Sequence, residues 1–440
     1  MLFYVGNLGF CGYGFLHARD FDYLTHKKNR NKYNIKELPS VDIFLPSCGE
    51  NIRLLVHTFD AIRKIKYNKL NVYCLDDEGR DSLRILSKMN GFHYISRPNR
   101  GELKKAGNLR YAFSRTRGDL ILVLDADFAP RADFLMETTF KFLENKKLGI
   151  LQTPQYFEIF PGQSYIAKGA TVLQETFYRG IQSFRNIWKA SVCCGSCALY
   201  RRAALAPHGG PAKVERSEDV NTGLMLLRDG WEIEYVPLIL AAGLSPDNLI
   251  TFFNQQYRWC VGSLHLITRK IFWVGPINLK MKLSYCLSIF YYITSGIGLL
   301  FFPMPSLINI WYFPENLLFS NYCLIAPTLL MLVVAKSTWS KSEYGFYVLR
   351  TALAASYVHL IAILDFLRGN MAPWIPTGTK VESSRYKVYT FFRFFIPIGY
   401  LFLFLVGLCR SYEKIEIVSI FFPLALISFH ATISITLSKR

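Results

Sequence analysis

The sequence predicts an α/β domain on a Rossmann-like parallel sheet, followed by an α-helical transmembrane bundle with interfacial helices. Three observations carry that prediction. From residue 41 onward, short apolar strands alternate with amphipathic helices, the pattern of a parallel sheet. Acidic residues recur where strands end, at Asp76-Asp77 and again at Asp125-Ala126-Asp127. After residue 282 charge nearly vanishes from several runs long enough to cross a bilayer. The composition agrees, with 51% hydrophobic and 15% aromatic residues.

Taken in order, residues 1–19 are apolar and Gly-rich without a basic start, and read as a partial membrane or interfacial segment rather than a secretory signal. Residues 20–40 form a basic linker with His26, Lys27, Lys28, Arg30 and Lys32. The α/β domain is expected over 41–249. "VDIFLPSCGE" reads as a strand running into a turn, and "NIRLLVHTFDAIRKI" as a helix with Leu54, Leu55, Phe59 and Ile62 on one face. "KLNVYCLDDEGR" is a second strand, stopping at Asp76-Asp77. "DSLRILSKMN" is a second helix with Asp81 or Ser82 as its cap, closed by Gly91. "GFHYISR" is a third strand, "AGNLRYAFSRT" a helix, and "DLILVLDAD" the next strand. In open α/β sheets the ligand crevice lies at the carboxyl ends of the strands, where these acids collect.

Residues 250–282 are expected to form interfacial helices, and 283–440 a transmembrane channel region. Spans are predicted at about 283–302, 317–335, 390–409 and 417–437. The stretch 345–367 contains Arg350, His359 and Asp365 and is assigned to the interface. Charge supports this choice. The loop 303–316 has no Lys or Arg and faces outward, whereas Lys280, Lys282, Lys336, Lys341, Arg368, Lys380, Arg385 and Lys387 then all lie inside. His359, Asp365 and the aromatic segments 290–313 and 389–404 either flank a path through the helices or face lipid.

The formal charge is +19, from 51 Lys and Arg against 32 Asp and Glu. With membrane spans in the chain, basic flanks meeting anionic lipid account for it, and no nucleic-acid partner is expected. Ten cysteines include Cys194-Gly-Ser-Cys197, but no second half follows, so no zinc site is expected.

Each chemical motif has a bland reading beside a functional one. Asp125 and Asp127 suit a solvated turn, or they are hard oxygen ligands for Mg²⁺ or Mn²⁺. Glu218 and Asp219 in "VERSEDVNTGLMLLRDGW" would stabilise a helix N-terminus through its dipole, with Ser217 as cap. Gln255, Arg258 and Trp259 in "FFNQQYRWCVGS" would serve as an interfacial anchor. Lys104, Lys105 and Asn108 in "GELKKAGNLR" would be a solvated basic loop. Their joint occurrence in this order is what the bland readings do not explain.

In that order, "CLDDEG", "LDADFAP", "SED" and "QQYRW", followed by spans, resemble the D, D-x-D, [T/S]-E-D and Q-x-x-R-W signature of processive family 2 glycosyltransferases, among them cellulose synthases and similar β-glucan synthases. "QTPQYF", "CGSCALYRR", "GWEIEYVP" and "WIPTG" also fall where that family has related segments, and the resemblance covers roughly residues 40–400. Ser217 stands for the commoner Thr, and "PSCGE" for the frequent "PTYNE".

The resemblance implies a cytosolic GT-A domain, a UDP-sugar donor (UDP-glucose), a growing polysaccharide acceptor, and residence in the plasma membrane in contact with its lipids. Accessory or oligomeric partners are compatible with it. It implies Asp125 and Asp127 as ligands of Mg²⁺ or Mn²⁺, Asp219 as general base beside Glu218, and Asp76, Asp77, Lys105, Gln255 and Arg258 on the donor nucleotide. Trp259, Cys194 and Gly195 would meet the acceptor, and 371–381 would be a gating loop bearing Trp374, Thr377 and Lys380. The expected activity is inverting polymerisation of a β-linked glucan, cellulose-like or mixed-linkage, with export of the product. Chitin-, mannan- and hyaluronan-type synthases share the scaffold. A non-processive lipid-linked sugar transferase shares the nucleotide half but normally lacks Q-x-x-R-W. A non-enzymatic membrane scaffold would show losses among the carboxylates, and none is lost here.

Overall fold

The structure is a computed structural model and describes residues 21–437, apart from 276, 302, 324–333, 335, 336, 338, 339, 344, 376–380, 412, 414 and 416. The segment 1–19 therefore lies outside the described residues, as do Thr377 and Lys380. The chain divides into two compact units. One comprises residues 1–158, 174–245 and 265–288; the other comprises 159–173, 246–264 and 289–440.

The first unit holds the sheet. Its strands are β1 (Val41–Ser47), β2 (Leu70–Asp76), β3 (His93–Ile95), β4 (Leu120–Val123), β6 (Leu148–Gln152), β8 (Ala198–Arg201) and β9 (Glu232–Tyr235), in the order β3-β2-β1-β4-β8-β6-β9. A second, three-stranded sheet orders β5 (Ala129–Pro130), β10 (Ala241–Leu244) and β7 (Tyr156–Glu158) as β5-β10-β7. Strands β3, β2, β1 and β4 are parallel neighbours, as the alternation of strands and helices predicts. The order reverses between β1 and β4, which places a topological switch point beside Asp125. The sheet is mixed rather than wholly parallel, because β8 runs antiparallel to both β4 and β6. Its sequence, Ala-Leu-Tyr-Arg, is only four residues long and carries no periodicity that distinguishes direction.

The central strands are mostly apolar because both faces are covered, and the buried Asp42 of β1 is paired with Arg202 at 3.0 Å. All seven residues of β1 and all four of β4 are buried. The helices α1 (Tyr23–Arg30), α2 (Ile52–Arg63), α3 (Asp81–Met89) and α4 (Lys104–Phe113) belong to this unit. Leu55, Phe59 and Ile62 of α2 join the core formed by Val41, Ile43, Leu120 and Leu122. Asn51 caps α2 with a side-chain bond to the amide of Arg53. The cap of α3 is Arg80, not Asp81 or Ser82, and it makes no side-chain bond. Asp81 instead sits in the first turn, where its charge suits the helix dipole. The basic linker forms α1, and its buried His26 lies 3.0 Å from Glu137. After α5 (Glu218–Arg228) the chain enters α6 (Leu249–Thr268), a single 20-residue helix.

Four helical stretches are long and apolar enough to cross a membrane: Leu279–Tyr312, Phe346–Leu367, Tyr386–Ser411 and Ser419–Thr436. The first consists of α7 (Leu279–Phe301) and a separate helix Met304–Tyr312 with Pro303 at its N-cap position. That second helix occupies the expected outer loop 303–316. The stretch assigned to the interface forms α8 (Phe346–Leu367), a continuous 22-residue helix as apolar as two of the other three. Most of the span expected at 317–335 falls outside the described residues. The remaining pair are α9 (Tyr386–Ser411) and α10 (Ile417–Thr436).

In the second unit small residues and interhelical hydrogen bonds join the helices, as in membrane bundles. A Cβ on Gly296 would come within 2.7 Å of the Leu360 amide nitrogen, so α7 and α8 touch backbone to backbone. The Tyr357 hydroxyl lies 2.9 Å from Ser434 and 3.1 Å from His430, linking α8 to α10. Phe391, Phe395, Phe402 and Leu403 of α9 remain exposed, an outward apolar stripe suited to acyl chains.

Candidate active site

The site collects at the sheet edge where β1, β2 and β4 end. Beyond β4, Phe128 N–H bonds the Asp125 carbonyl at 3.0 Å, closing a tight turn that carries both carboxylates. The Asp125 amide donates to Ser196 Oγ at 2.8 Å, which fixes the turn against the "CCGSC" loop. Burial, and then the charge of Asp125, push the Asp127 carboxyl up to about 7.

Lys105 stands between the acids. Its Nζ lies 2.5 Å from Asp125 Oδ1, 3.0 Å from the Gly195 carbonyl and 4.0 Å from Glu218 Oε1. Burial opposes its charge, but Asp125, Glu218 and Asp219 outweigh burial and raise its pKa. The lysine is presented by an unusual turn in which Leu103 and Lys104 both adopt left-handed backbone (φ 53° and 47°). Such strain in non-glycine residues gathers at functional sites.

Asp219 sits in the first turn of α5. A left-handed Ser217 (φ 49°) precedes it, and its side chain does not cap the helix. The Ser217 carbonyl instead accepts from the Asn221 amide and side chain at 3.1 and 2.7 Å. Asp219 Oδ1 accepts from the Val220 amide at 2.8 Å. Burial and the adjacent Glu218 nevertheless push Asp219 up to about 7. Opposite it, Gly195 (φ +78°) approaches so closely that an added Cβ would lie 2.9 Å from both Cβ and Oδ2 of Asp219. Only glycine suits that backbone and that gap. Four stretches distant in sequence, "LDAD", "KKAGN", "CCGSC" and "SED", thus meet around one lysine.

The "CCGSC" loop is braced by glutamines that sequence reasoning did not single out. Gln152 accepts from the Cys194 amide at 2.8 Å and donates to the Ser196 carbonyl at 2.8 Å. Gln155 donates to the Cys194 carbonyl at 3.0 Å, and Gln182 accepts from the Val192 amide at 3.2 Å. Gln152 and Gln155 are the two glutamines of "QTPQ", so the repeat was visible although its task was not. Gln182 ends a π-helix, Thr176–Gln182, a form common at functional sites. Burial pushes the Cys194 thiol up to about 12 and keeps it neutral.

Asp76 and Asp77 lie at the same edge but are bonded internally. Asp76 is fully buried and accepts from the amides of Glu78 (3.1 Å) and Arg80 (2.5 Å) and from the Tyr94 hydroxyl (2.9 Å). Asp77 accepts a two-pronged bond from the buried Arg97, at 2.5 and 2.8 Å. Arg97 is a second residue missed from sequence, since nothing in "SRPNRG" announces its partner.

Gln255, Arg258 and Trp259 lie on α6 within the second unit. Gln255 is buried, whereas Arg258 and Trp259 are half-buried. The Arg258 guanidinium stands 5.7 Å from the Trp374 ring and 3.4 Å from the Ile375 carbonyl. His359 lies 3.0 Å from Ser295 and 3.3 Å from Gln256.

A divalent cation fits the Asp125–Asp127 turn. Among the described residues no three His, Cys, Asp or Glu side chains form a cage for a metal. An ion here would rest on the two carboxylates and take its other ligands from phosphate and water, the habit of Mg²⁺ and of Mn²⁺ at nucleotide sites. A carboxyl raised to about 7 by burial and a like charge gains from such an ion.

Much of this sheet and of the site lies in residues 42–209, which match the family model "Glycosyl transferase family 2". Within that class the chain is similar to bacterial cellulose synthases. It is 37% identical over 238 residues to the cellulose synthase 1 catalytic subunit [UDP-forming] of Komagataeibacter xylinus, covering 53% of this chain and 32% of the relative. It is 31% identical over 352 residues to cellulose synthase 1 of the same organism, covering 76% and 22%. The chain thus spans about a fifth to a third of the length of these relatives. The mannosyltransferase PcManGT from Pyrobaculum calidifontis, solved with GDP-Man and Mn²⁺, shares the GT-A fold. Its TM-score is 0.52 at 17% identity, over 82% of this chain and 96% of that one.

Proposed function

We propose that this chain is a membrane-embedded, processive, inverting glycosyltransferase that builds a β-linked glucan from UDP-glucose on the cytosolic side of the plasma membrane and exports it. The observation that carries this reading is the meeting of Asp219 with Gly195, Lys105 and Asp125. These contacts support a site in which Asp219 serves as base and the Asp125–Asp127 turn holds a metal for a single displacement on a nucleotide sugar.

In this reading Asp219 takes the proton from the acceptor hydroxyl as that oxygen attacks the anomeric carbon. The bond from that carbon to the diphosphate breaks as the glycosidic bond forms, so an α-linked donor gives a β-linked product. General-base assistance of this kind is worth about 10²–10⁴-fold. Lys105 holds Asp125 in place and brings positive charge to the leaving-group side. Mg²⁺ or Mn²⁺ on Asp125 and Asp127, when bound, would neutralise the departing diphosphate. The family resemblance gives Gln255 and Arg258 the diphosphate, Trp259 a stacking face for the acceptor sugar, and Asp76 and Asp77 the nucleoside end. Because both of those acids are bonded internally, they would shape that pocket through Arg97, Tyr94 and the turn at Arg80.

The test is a donor screen on the purified full chain in vesicles, with radiolabelled UDP-glucose, UDP-N-acetylglucosamine, UDP-glucuronic acid and GDP-mannose. Polymer from UDP-glucose alone, cut by β-glucanase, lost in excess chelator and restored by Mg²⁺ or Mn²⁺, is expected. Polymer from another donor would move the chain to a chitin, hyaluronan or mannan synthase. Undiminished synthesis in chelator would remove the metal from Asp125 and Asp127.

A further inference from the structure

One face of α6 grips the chain that joins α8 to α9. Asn254, Tyr257 and Arg258 fall at positions i, i+3 and i+4, which bring side chains to one side of a helix. Asn254 donates to the Val381 carbonyl at 2.9 Å. The Tyr257 hydroxyl accepts from the Ala372 amide at 3.0 Å, and Arg258 reaches the Ile375 carbonyl and the Trp374 ring. All of these residues belong to the second unit.

Beneath this grip lies a cluster of the buried Tyr257 and Asp365 with the half-buried Arg385. Asp365, in the last turn of α8, accepts from the Tyr257 hydroxyl at 2.7 Å and from Arg385 Nε at 2.8 Å. Arg385, immediately before α9, also donates from Nη2 to the Asn370 carbonyl at 2.6 Å. One carboxylate therefore orders a tyrosine and an arginine, and each of those binds backbone of the connecting segment, at residues 372 and 370. Trp374 follows two residues later.

A buried ion pair is a poor source of stability, since desolvation offsets most of its attraction, and its best-attested use is to fix one register. Here the register fixed is that of residues 370–374 against α6. Apolar side chains could join the helices as well, but they would not hold two backbone groups at set distances.

We propose that Tyr257, Asp365 and Arg385 form a clasp that positions the guanidinium of Arg258 by way of Trp374. They are positioning residues, with no contact to substrate of their own. The inference rests on the reading that Arg258 meets the donor diphosphate. Loosening the clasp lets Trp374 and the Ile375 carbonyl drift, and Arg258 then spends less time where the donor needs it. The chemical step, which depends on Asp219, keeps its rate once donor is bound.

The experiment measures kcat and donor KM for polymer synthesis on monodisperse full-chain protein carrying Y257F, D365N, R385Q, or D365N with R385Q, beside R258A. Each single clasp variant should raise donor KM about tenfold, the effect of losing a hydrogen bond to a charged group, while kcat changes less than about threefold. The double variant should be no worse than D365N, because both substitutions open the same clasp. D365E should recover much of the loss. Unchanged KM in folded clasp variants, with R258A raising KM, would overturn the clasp and leave the role of Arg258 standing. A fall in kcat at constant KM would assign the cluster to folding alone and equally overturn it. An R258A protein with wild-type KM would instead overturn the reading of Arg258 on which the clasp rests.

Discussion

Lys105 and Asp125 meet at 2.5 Å, ammonium nitrogen to carboxylate oxygen, and the same nitrogen bonds the carbonyl of Gly195. The lysine thereby ties the Asp125–Asp127 turn to the loop that faces Asp219. Replacing it with Met leaves Asp125, Asp127, Glu218 and Asp219 without their shared cation. Because both partners are partly exposed, K105M should cost only about 1–3 kcal/mol of stability. Mn²⁺ should restore more of the melting temperature in K105M than it adds to the wild-type chain. Equal metal responses in the two proteins would show that Lys105 and the ion do not share those charges.

Gly195 tests the closeness of the loop to Asp219. A methyl group there meets Asp219 at 2.9 Å on a backbone with φ +78°, so G195A must displace one or the other. A displacement of about 1 Å at a reacting group costs on the order of 10²-fold in rate. Turnover should fall by about that factor, with UDP affinity in Mn²⁺ little changed. Equal loss of both would point to a collapsed domain rather than a displaced base.

Protonation of Asp219 drives stability and turnover in opposite directions. Its carboxyl titrates near 3.8 in an unfolded chain and near 7 when folded. Between those values the folded state keeps a proton that the unfolded state has lost, so stability falls as pH rises from about 4 to about 7. Asp127 adds a slope of the same sign in metal-free protein. A base, by contrast, works only when deprotonated, so turnover at saturating metal should rise as pH passes through about 7. Melting temperatures in chelator from pH 4 to 8 should fall for the wild type and fall less for D219N. Parallel slopes would mean that Asp219 titrates as an ordinary carboxylate.

Trp259 separates a sugar platform from a membrane anchor. An indole face suits the C–H face of a pyranose. W259A should therefore slow elongation by about 10²-fold or more through loss of acceptor alignment, with UDP affinity nearly unchanged. W259F should retain part of the rate. Lower yield of a protein with normal activity per folded molecule would make Trp259 an interfacial anchor instead.

How much of this was legible beforehand follows from which forces act locally. Leu120–Val123 is a fully apolar run followed closely by acids, so the strand and its acidic edge could be read from adjacent residues. The same holds for α2, α3 and α4, whose faces repeat with helical period. Direction in the sheet was not legible, because β8 takes its antiparallel place by pairing with β4 and β6, both distant in sequence. The bracing by Gln152 and Gln182 and the Asp77–Arg97 pair also depend on long-range closure that no local pattern encodes. Phe346–Leu367 is assigned to the interface by the charges of its flanks, and partners from other elements, which no local pattern encodes, satisfy its His359 and Asp365: Ser295, Gln256, Tyr257 and Arg385.

The most direct test of Asp219 as the base compares transfer with binding in D219N. An amide keeps the size of the carboxylate and one acceptor oxygen for the Val220 amide but cannot take the acceptor proton. UDP affinity in Mn²⁺ should stay within about threefold of wild type, while glucosyl transfer falls below about a tenth. A folded D219N protein that binds UDP normally and keeps more than about a tenth of wild-type transfer would contradict the account, because the proton would then leave by another residue.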